Sequence, residues 1–411
     1  MVDCCSAPGL LPFEQALENM LTAINPIDET EQVTLKNALG RVLAQDINSP
    51  VNVPPNDNSA MDGYTFAQQS LAANNTLTLV GRSMAGAPYE GTCKAGECVR
   101  IMTGAKVPAD CDTVEMQENC QAAGENITFL SSRKRADNVR SKGEDIAVGQ
   151  TVFLTGRELT AIDIGVLASL GIDNVTVFRK LKVALISTGD ELKKPGQTLN
   201  DGDIYESNSQ FLTSLMSKLG ADIIDFGIIE DVETSIFNAF KKADEVADVV
   251  ISSGGVSVGD ADYTKTVLES LGKISFWKIA MKPGKPFAFG TLPNAYFFGL
   301  PGNPVSALVT AHQLALPALL KMQNVTRDQP LTLTAKTTST LKKSPGRMDF
   351  QRGIISHDEN GDLQVTSTGS QGSGILTSMA AANCYIVLAA EQGEVSEGAR
   401  VNVQMFDKYL Q

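Results

Sequence analysis

A continuous β-branched run followed by a glycine-rich turn constrains this chain more than any other stretch. Val249, Val250 and Ile251 are typical of a strand buried on both faces of a parallel sheet. Segment 252–259 then contains three serines and three glycines, whose hydroxyl and N–H groups suit the oxygens of an anion. The helix predicted over 263–271 would direct its positive end to the same place. The pattern favours a phosphate site, with a solvated turn capped by aspartate as the alternative.

Strand and helix patterns alternate from residue 182 to residue 271, which predicts a doubly wound α/β domain. In such a domain ligands bind beyond the carboxyl ends of the strands. Acidic residues follow three of the predicted strand ends, namely Asp190 with Glu191, Asp231, and Asp260 with Asp262. Carboxylates beside a phosphate site are the setting in which a divalent cation bridges the two.

The flanking sequence predicts smaller β-rich parts and short helices. Short alternating runs over 77–130 indicate a small β-domain, and similar runs after residue 329 indicate a small β-barrel or sandwich. Helical patterns occur at 13–24, 35–39 and 160–170. The chain is therefore predicted to be a multidomain α/β plus β protein.

Composition excludes several classes of function. The 411 residues carry a net charge of −13, which disfavours generic binding to nucleic acid or acidic membranes. No apolar run is expected near the ~18 residues that span a bilayer, and the N-terminus lacks signal-peptide character, so a cytoplasmic location is expected. Seven cysteines without a C-x-x-C pair indicate reduced thiols. Two histidines, neither beside a nucleophile motif, leave carboxylates, lysines and a hard metal to carry any catalysis.

Several polar residues lie close to a proline or a glycine in the sequence. Lys278, Lys282 and Lys285 surround a Pro-Gly-Lys-Pro turn whose prolines fix the last lysine. Asn303 and Pro304 have the character of an N-cap and first helical residue, with Ser306 in the first turn. Asp62 precedes glycine at a strand start and would project into a cleft, although a plain Asp-Gly turn explains it as well.

Seven motifs together resemble one family. They lie at 58–64 (Asn-Ser-Ala-Met-Asp-Gly-Tyr), 100–105 (Arg-Ile-Met-Thr-Gly-Ala), 143–145 (Gly-Glu-Asp), 187–191 (Ser-Thr-Gly-Asp-Glu), 251–259, 282–286 (Lys-Pro-Gly-Lys-Pro) and 300–304 (Leu-Pro-Gly-Asn-Pro). In this order they resemble the molybdopterin molybdenumtransferases of the MoeA type, which are related to the insertase part of gephyrin. The resemblance runs from about Phe13 to the C-terminus, with Asn56 as a departure where an apolar residue is expected.

The resemblance implies a homodimer of four-domain protomers. Expected boundaries are a discontinuous linker domain (1–52 with 146–180), a β-rich domain (53–145), an α/β molybdopterin-binding domain (181–327) and a C-terminal β-barrel domain (328–411). It implies a cleft between the α/β domain of one chain and the β-rich domain of its partner. It further implies that adenylylated molybdopterin binds, that molybdenum from molybdate is inserted with magnesium present, and that AMP leaves. Expected partners are a molybdopterin adenylyltransferase and molybdoenzyme maturation proteins.

The resemblance and the residue chemistry together suggest roles for the site residues. Carboxylates expected to position Mg²⁺ and water are Asp62, Glu191, Asp231 and Asp262. Partner-side contacts are expected from Thr103 and Asp145. Phosphate, pterin and molybdate contacts are expected from Ser253, Gly254, Gly255, Ser257, Lys278, Lys282, Lys285, Ser306, Arg347 and Ser373.

Three other functions are alternatives to the insertase function. A molybdopterin adenylyltransferase shares the α/β domain and a similar Ser-Gly-Gly turn, but it does not need the domains on either side. A non-catalytic scaffold could lose Asp62, Asp231 and Lys285, yet all three are present. A magnesium-dependent nucleotide hydrolase would not explain the Pro-Gly-Lys-Pro turn. The insertase function is the preferred hypothesis.

Overall fold

The computed structural model describes residues 10–72, 75–255, 263–326 and 330–411. The chain divides into two compact units. The first contains Met1–Glu31, Gly40–Val42 and Val177–Gln411, and the second contains Gln32–Leu39 and Leu43–Thr176. The finer division into four domains stays a prediction.

The helices occupy ranges close to those that the periodicity predicts. They are α1 (Phe13–Ala23), α2 (Ala161–Ser169), α3 (Asn208–Lys218), α4 (Glu233–Val246), α5 (Tyr263–Leu271), α6 (Pro304–Thr310), α7 (Leu316–Met322) and α8 (Thr377–Ala381). A π-helical turn, Ala311–Ala315, joins α6 to α7. The helix predicted at 35–39 is wrong, since Leu35–Asn37 forms a single 3-10 turn. A segment that ends at Gly40 is too short to repay the cost of nucleating an α-helix.

The strands are mostly short. They are β1 (Thr30–Thr34), β2 (Ile47–Asn48), β3 (Asn58–Ser59), β4 (Gly63–Phe66), β5 (Thr76–Ser83), β6 (Glu97–Ile101), β7 (Thr113–Met116), β8 (Cys120–Ala123), β9 (Asn126–Phe129), β10 (Val139–Arg140), β11 (Thr151–Phe153), β12 (Asn174–Phe178), β13 (Lys182–Thr188), β14 (Leu192–Lys193), β15 (Ile204–Tyr205), β16 (Asp222–Ile229), β17 (Val249–Ser253), β18 (Lys273–Lys278), β19 (Met281–Lys282), β20 (Pro286–Thr291), β21 (Tyr296–Leu300), β22 (Thr332–Thr337), β23 (Met348–His357), β24 (Leu363–Ser367), β25 (Cys384–Leu388) and β26 (Arg400–Met405).

In the second unit, six strands form one sheet in the order β7-β4-β6-β5-β9-β8. Both faces of this sheet are buried, because the adjacent residues Cys98 and Val99 of β6 belong to different apolar clusters. Helix α2 begins with a capping box, in which the Thr160 N–H donates to Asp163 and the Asp163 N–H donates to the Thr160 hydroxyl. The predicted β-rich domain is therefore present.

In the first unit, the α/β sheet has the order β16-β13-β17-β21-β20-β18. Strands β16, β13, β17 and β21 are parallel, whereas β20 is antiparallel to both of its neighbours. Along β13, Val183 and Leu185 join the apolar cluster that contains α3, and Ala184 and Ile186 join the cluster that contains α4 and α5. Helices thus cover both faces of the sheet, which confirms the doubly wound α/β prediction.

The C-terminal strands close into a barrel. Strands β23, β24, β22, β26 and β25 pair in that order, and β25 pairs again with β23. Closure leaves no free edge among these five strands. The structure confirms the predicted small β-barrel.

The helical run Pro304–Met322 is an exception to the expectation about apolar segments. Among the described residues it is long and apolar enough to cross a membrane by length and composition. However, 89% of its most apolar window is buried inside the protein, as is typical of a core helix. The expectation that no run approaches this length is therefore wrong, because the mean hydropathy of this segment reaches 1.3 despite its interspersed Ser, Thr, His and Gln.

A buried ion pair lies within the β-domain. Glu115 is fully buried on β7, where its carboxylate accepts hydrogen bonds from Arg133, Asn119 and Ser131. Burial alone would raise the pKa of Glu115, but these hydrogen bonds outweigh it and leave that pKa below its usual value. The charge of Glu115 therefore depends on Arg133.

We predict that Arg133→Ala lowers the free energy of unfolding of the β-domain by about 3 kcal/mol, because it leaves a buried carboxylate without its cation. The loss should shrink as the pH falls toward the ordinary glutamate value of 4.5, because burial without Arg133 raises the pKa of Glu115 in the folded variant and protonation then removes the unpaired charge. Urea unfolding followed by circular dichroism between pH 4 and 8 measures it. Arg135→Ala is the control, since Arg135 pairs with Asp112 at 3.1 Å with 81% of its side chain exposed. Equal stability of the two variants would contradict the prediction.

Candidate functional site

A pocket of about 770 Å³ opens beyond the carboxyl ends of β13, β17 and β21. In the sheet, β13 lies between β16 and β17, which are the next two strands of this sheet along the chain, so the strand order reverses at β13. Such switch points are where doubly wound sheets bind ligands. The pocket is lined by Thr188, Gly189, Glu191, Leu192, Ile204, Tyr205, Glu206, Ser207, Asn208, Asp231, Ser253, Gly254, Gly255, Pro286, Pro301, Gly302, Asn303, Pro304 and Gly374.

Two consecutive glycines follow β17 in left-handed backbone conformations. Gly254 has a φ of 88° and Gly255 a φ of 64°, values that side chains rarely tolerate. A Cβ atom on Gly255 would lie 2.3 Å from Thr264 Oγ1 and 2.8 Å from Thr188 Oγ1. Both of these threonine hydroxyls are buried and have no hydrogen-bond partner among the residues that the structure describes. The double glycine therefore leaves room for two unsatisfied hydroxyls at the edge of the pocket, an arrangement that suits a ligand rich in oxygen.

Helix α3 presents its first turn to the pocket. The Asn208 side chain donates to Ser253 Oγ at 2.7 Å and to the Gly302 carbonyl oxygen at 2.8 Å. Glu206, which is 5% exposed, accepts from the Ser209 N–H at 2.8 Å and from the Ser209 hydroxyl. Asn303 occupies the position before α6, but its side chain makes no capping hydrogen bond. Asn303 therefore occupies the predicted N-cap position, but its side chain does not cap the helix.

Two carboxylates also line the pocket. Glu191 and Asp231 both face it, and the Asp231 N–H donates to Asp190 Oδ1 at 3.1 Å. Burial, and then the negative charges of Asp190 and Glu191, raise the pKa of Asp231. Like charges held this close favour the uptake of a cation or a proton.

The predicted basic residues lie apart from the lining of this pocket. Lys278 lines a different cavity together with residues of α1. Lys282 forms an ion pair with the buried Asp349 at 3.4 Å. Lys285 is exposed and directly precedes Pro286, which does line the pocket. Arg347 is partly exposed in the turn before β23.

The two predicted serines of this group lie beside the pocket. Ser306 is 5% exposed in α6. The Ser373 carbonyl accepts from the Val305 N–H at 3.0 Å, and the next residue, Gly374, lines the pocket. The structure thus brings Glu191, Asp231 and segment 253–255 together in one pocket lining. Ser306 and Ser373 lie outside that lining, within two residues of Pro304 and Gly374, which belong to it.

The second unit carries the other three predicted residues. Asp62 Oδ1 accepts from the Thr103 N–H and the Thr103 hydroxyl, both at 2.7 Å. The backbone hydrogen bond and then the hydroxyl of Thr103 lower the pKa of Asp62. Asp145 is exposed in the turn after Gly143, and its N–H donates to the Val53 carbonyl at 3.1 Å. No hydrogen bond or ion pair joins the Asp145 carboxylate to Asp62 or Thr103, although all three are described.

Three of the predicted residues fall in an undescribed segment, and two residues of the pocket lining were not predicted. Ser257, Asp260 and Asp262 lie outside the described residues. The sequence interpretation gave no role to Asn208 or Glu206. Both lie where a helix begins at the carboxyl edge of the sheet, and that position was the available signal.

Comparison with known proteins gives a consistent result. The chain matches the MoeA N-terminal region (domain I and II) over 11–171, a probable molybdopterin binding domain over 184–321 and the MoeA C-terminal region (domain IV) over 334–406. A molybdopterin molybdenumtransferase from Haemophilus influenzae is 45% identical over 403 residues, which cover 98% of this chain and 100% of that protein. A molybdopterin molybdenumtransferase from Bacillus subtilis is 33% identical over 385 residues, which cover 91% of this chain and 89% of that protein.

A solved structure agrees. The crystal structure described as the molybdopterin biosynthesis MoeA protein of Pyrococcus horikoshii superposes with a TM-score of 0.82 at 31% identity, over 97% of this chain and 99% of that one. These matches confirm the family resemblance drawn from the seven motifs.

We predict that Gly255→Ala lowers the free energy of unfolding by roughly 1–3 kcal/mol, because a Cβ atom would meet two threonine hydroxyls in a left-handed conformation. Chemical denaturation measures the change. Gly302→Ala is the matched control in the facing turn, since its Cβ atom would lie 3.9 Å from Gly254 Cα, an ordinary contact. The prediction fails if both substitutions are tolerated equally.

Proposed function

The chain belongs to the molybdopterin molybdenumtransferase family of the MoeA type, and from this premise we propose the reaction that its pocket serves. The proposed substrate is adenylylated molybdopterin. Its phosphate–phosphate linkage is hydrolysed, AMP leaves, and the dithiolene sulfurs take up molybdenum from molybdate, whose displaced oxygens leave as water. The observation that carries the proposal is the pocket at the switch point of β13 and β17, built from a double glycine and unsatisfied hydroxyls.

The binding of a phosphate group is supported by the donors around Gly255. The two glycines let a ligand approach the backbone closely, and Thr188 and Thr264 offer buried hydroxyls that have no partner within the described ranges. Thr188 also lines the pocket. We assign Ser253, Gly254 and Gly255 to the phosphate end of the substrate, together with Ser257 as a sequence-based proposal.

The carboxylate side of the pocket suits Mg²⁺. The donor set is hard oxygen. Burial, and then the negative charges of Asp190 and Glu191, raise the pKa of Asp231, and a nearby cation would favour its charged form. Within the described ranges, no group of three or more His, Cys, Asp or Glu side chains forms a complete metal site. Mg²⁺ typically takes one or two carboxylates, several waters and substrate phosphates, so a partial protein shell fits. We propose that Glu191 and Asp231 hold it, with Asp262 and Asp62 as further carboxylates, and that the ion neutralises charge on the phosphates.

The remaining residues are assigned by chemistry. Lys278, Lys282 and Lys285 are proposed to bind the pterin phosphate and the incoming oxyanion. Molybdate resembles sulfate in shape and charge, so Arg347, Ser306 and Ser373 are proposed to hold it by hydrogen bonds.

We also propose the assembly and context that the family implies. Two chains form a homodimer, and Asp62, Thr103 and Asp145 of one protomer serve the pocket of its partner. The enzyme works in the cytoplasm. It receives substrate from a molybdopterin adenylyltransferase and passes product to molybdoenzyme maturation proteins.

The test is AMP release from adenylylated molybdopterin, measured with and without molybdate in the presence of Mg²⁺. We expect release that requires molybdate, is lost with EDTA and returns when Mg²⁺ is restored. Conversion of ATP and free molybdopterin into the adenylylated form, without molybdate-dependent release, would instead indicate an adenylyltransferase. Absence of both activities would favour a scaffold.

We predict that Asp62→Ala lowers molybdate-dependent AMP release roughly 100-fold or more while leaving the fold intact, because an exposed carboxylate adds nothing to the core. Turnover and thermal unfolding are measured together. Asp358→Ala is the control, since its carboxylate also holds a turn, accepting from the Asn360 and Asp362 N–H groups at 2.9 Å. An unfolded Asp62→Ala protein, or one as active as Asp358→Ala, would disprove the assigned role.

A further inference from the structure

The side-chain amide of Asn208 joins two turns that line the pocket. Asn208 is 8% exposed at the start of α3. Its Nδ2 donates to Ser253 Oγ at 2.7 Å and to the Gly302 carbonyl oxygen at 2.8 Å. An asparagine amide nitrogen has two N–H bonds, and both are used here. The amide nitrogen therefore has no donor left for a ligand and acts on the site through its neighbours.

One neighbour is the Ser253 hydroxyl, whose direction Asn208 determines. Because Ser253 Oγ accepts from Asn208, its single proton must point elsewhere. Ser253 is 4% exposed and lines the pocket. Within the described segments, no acceptor is hydrogen-bonded to this proton. The hydroxyl is thus available as a donor to a ligand in the pocket, which is what an oxyanion needs.

The other neighbour is the turn at Gly302. The Gly254 N–H donates to the Leu300 carbonyl at 3.2 Å, so this turn already lies against the double glycine. Asn208 adds a second tie between them from the side. Its own position is fixed, because Glu206 accepts from the Ser209 N–H and donates its own N–H to the Lys193 carbonyl at 2.8 Å. The amide therefore connects the two turns from a rigid element.

We propose that Asn208 is a positioning residue for oxyanion binding, which holds the Ser253 hydroxyl as a donor and fixes the Gly302 turn beside it. It sets the affinity of the pocket for the phosphate end of the substrate rather than the rate of bond breaking. The identity of that substrate rests on the proposed function.

The decisive variant is Asn208→Asp, which keeps the shape of the side chain and replaces its donor by an acceptor. The carboxylate would attract the Ser253 proton away from the pocket and would face the Gly302 carbonyl without a hydrogen. We expect the KM for adenylylated molybdopterin to rise about tenfold or more, with kcat changed less than about threefold. The dissociation constant for AMP, measured by calorimetry, should rise in parallel. The control is Asn383→Ala, which removes an asparagine bonded to the Ile355 backbone in the barrel, and it should leave both constants unchanged.

A double-mutant cycle separates positioning from a general structural role. If Asn208 acts largely through Ser253, Asn208→Ala should raise the KM much less in a Ser253→Ala background than in the native chain. Additive effects would overturn the proposal. The cycle also decides the question if Asn208→Asp fails to fold.

The outcomes distinguish this inference from the proposed function. If the native chain releases AMP with molybdate and Asn208→Asp matches it in KM and AMP affinity, the positioning role is wrong and the function stands. If the native chain releases no AMP, the function fails, and the AMP affinities alone decide the role of Asn208.

Discussion

The parallel pairing of β13 with β17 is the constraint on which the pocket depends. Val183 pairs with Val249 and the register continues to Ser187 and Ser253, so both strands end at the same level. Each strand is covered on two faces by separate apolar clusters, which fixes its register because a shift by one residue would exchange the two faces. The turns beyond the strands can therefore be polar, glycine-rich and unsatisfied, since the buried strands supply the stability that they lack.

The same pocket solves an electrostatic problem that composition raises. Under the proposed function, a chain with a net charge of −13 must bind an anionic ligand, and its predicted lysines lie outside the pocket lining. Lys282, for example, is engaged by Asp349. The buried hydroxyls beside the double glycine offer donors without adding net charge. In the proposed function, Glu191 and Asp231 hold the cation that accompanies the ligand, so their charge does not repel it.

Sequence reasoning predicted what depends on local pattern and missed what depends on contact. The strands, the helices from α2 to α5 and the polar turns at the sheet edge follow from hydrophobic periodicity and glycine content. The family motifs identified the chain. The position of Asn208 at a helix start was visible in the sequence, but its hydrogen bonds were not predictable, because they reach residues 45 and 94 positions away. The helix predicted at 35–39 failed for the opposite reason, since a short apolar pattern alone does not determine the backbone.

The barrel also contributes to the pocket, through packing and one buried cation. Arg352 of β23 is 1% exposed, and burial lowers the pKa of its guanidinium. It donates to the Ser378 hydroxyl at 3.0 Å and to the Gly372 carbonyl at 3.1 Å, two residues before Gly374 enters the pocket lining. A buried arginine is costly unless its donors are satisfied, so these bonds hold the 372–374 loop in place. Phe350 and Tyr385 of the barrel share an apolar cluster with Leu300 and Val305, so the barrel and the start of α6 pack into one core. The barrel therefore supports this part of the pocket wall through both hydrogen bonds and apolar packing.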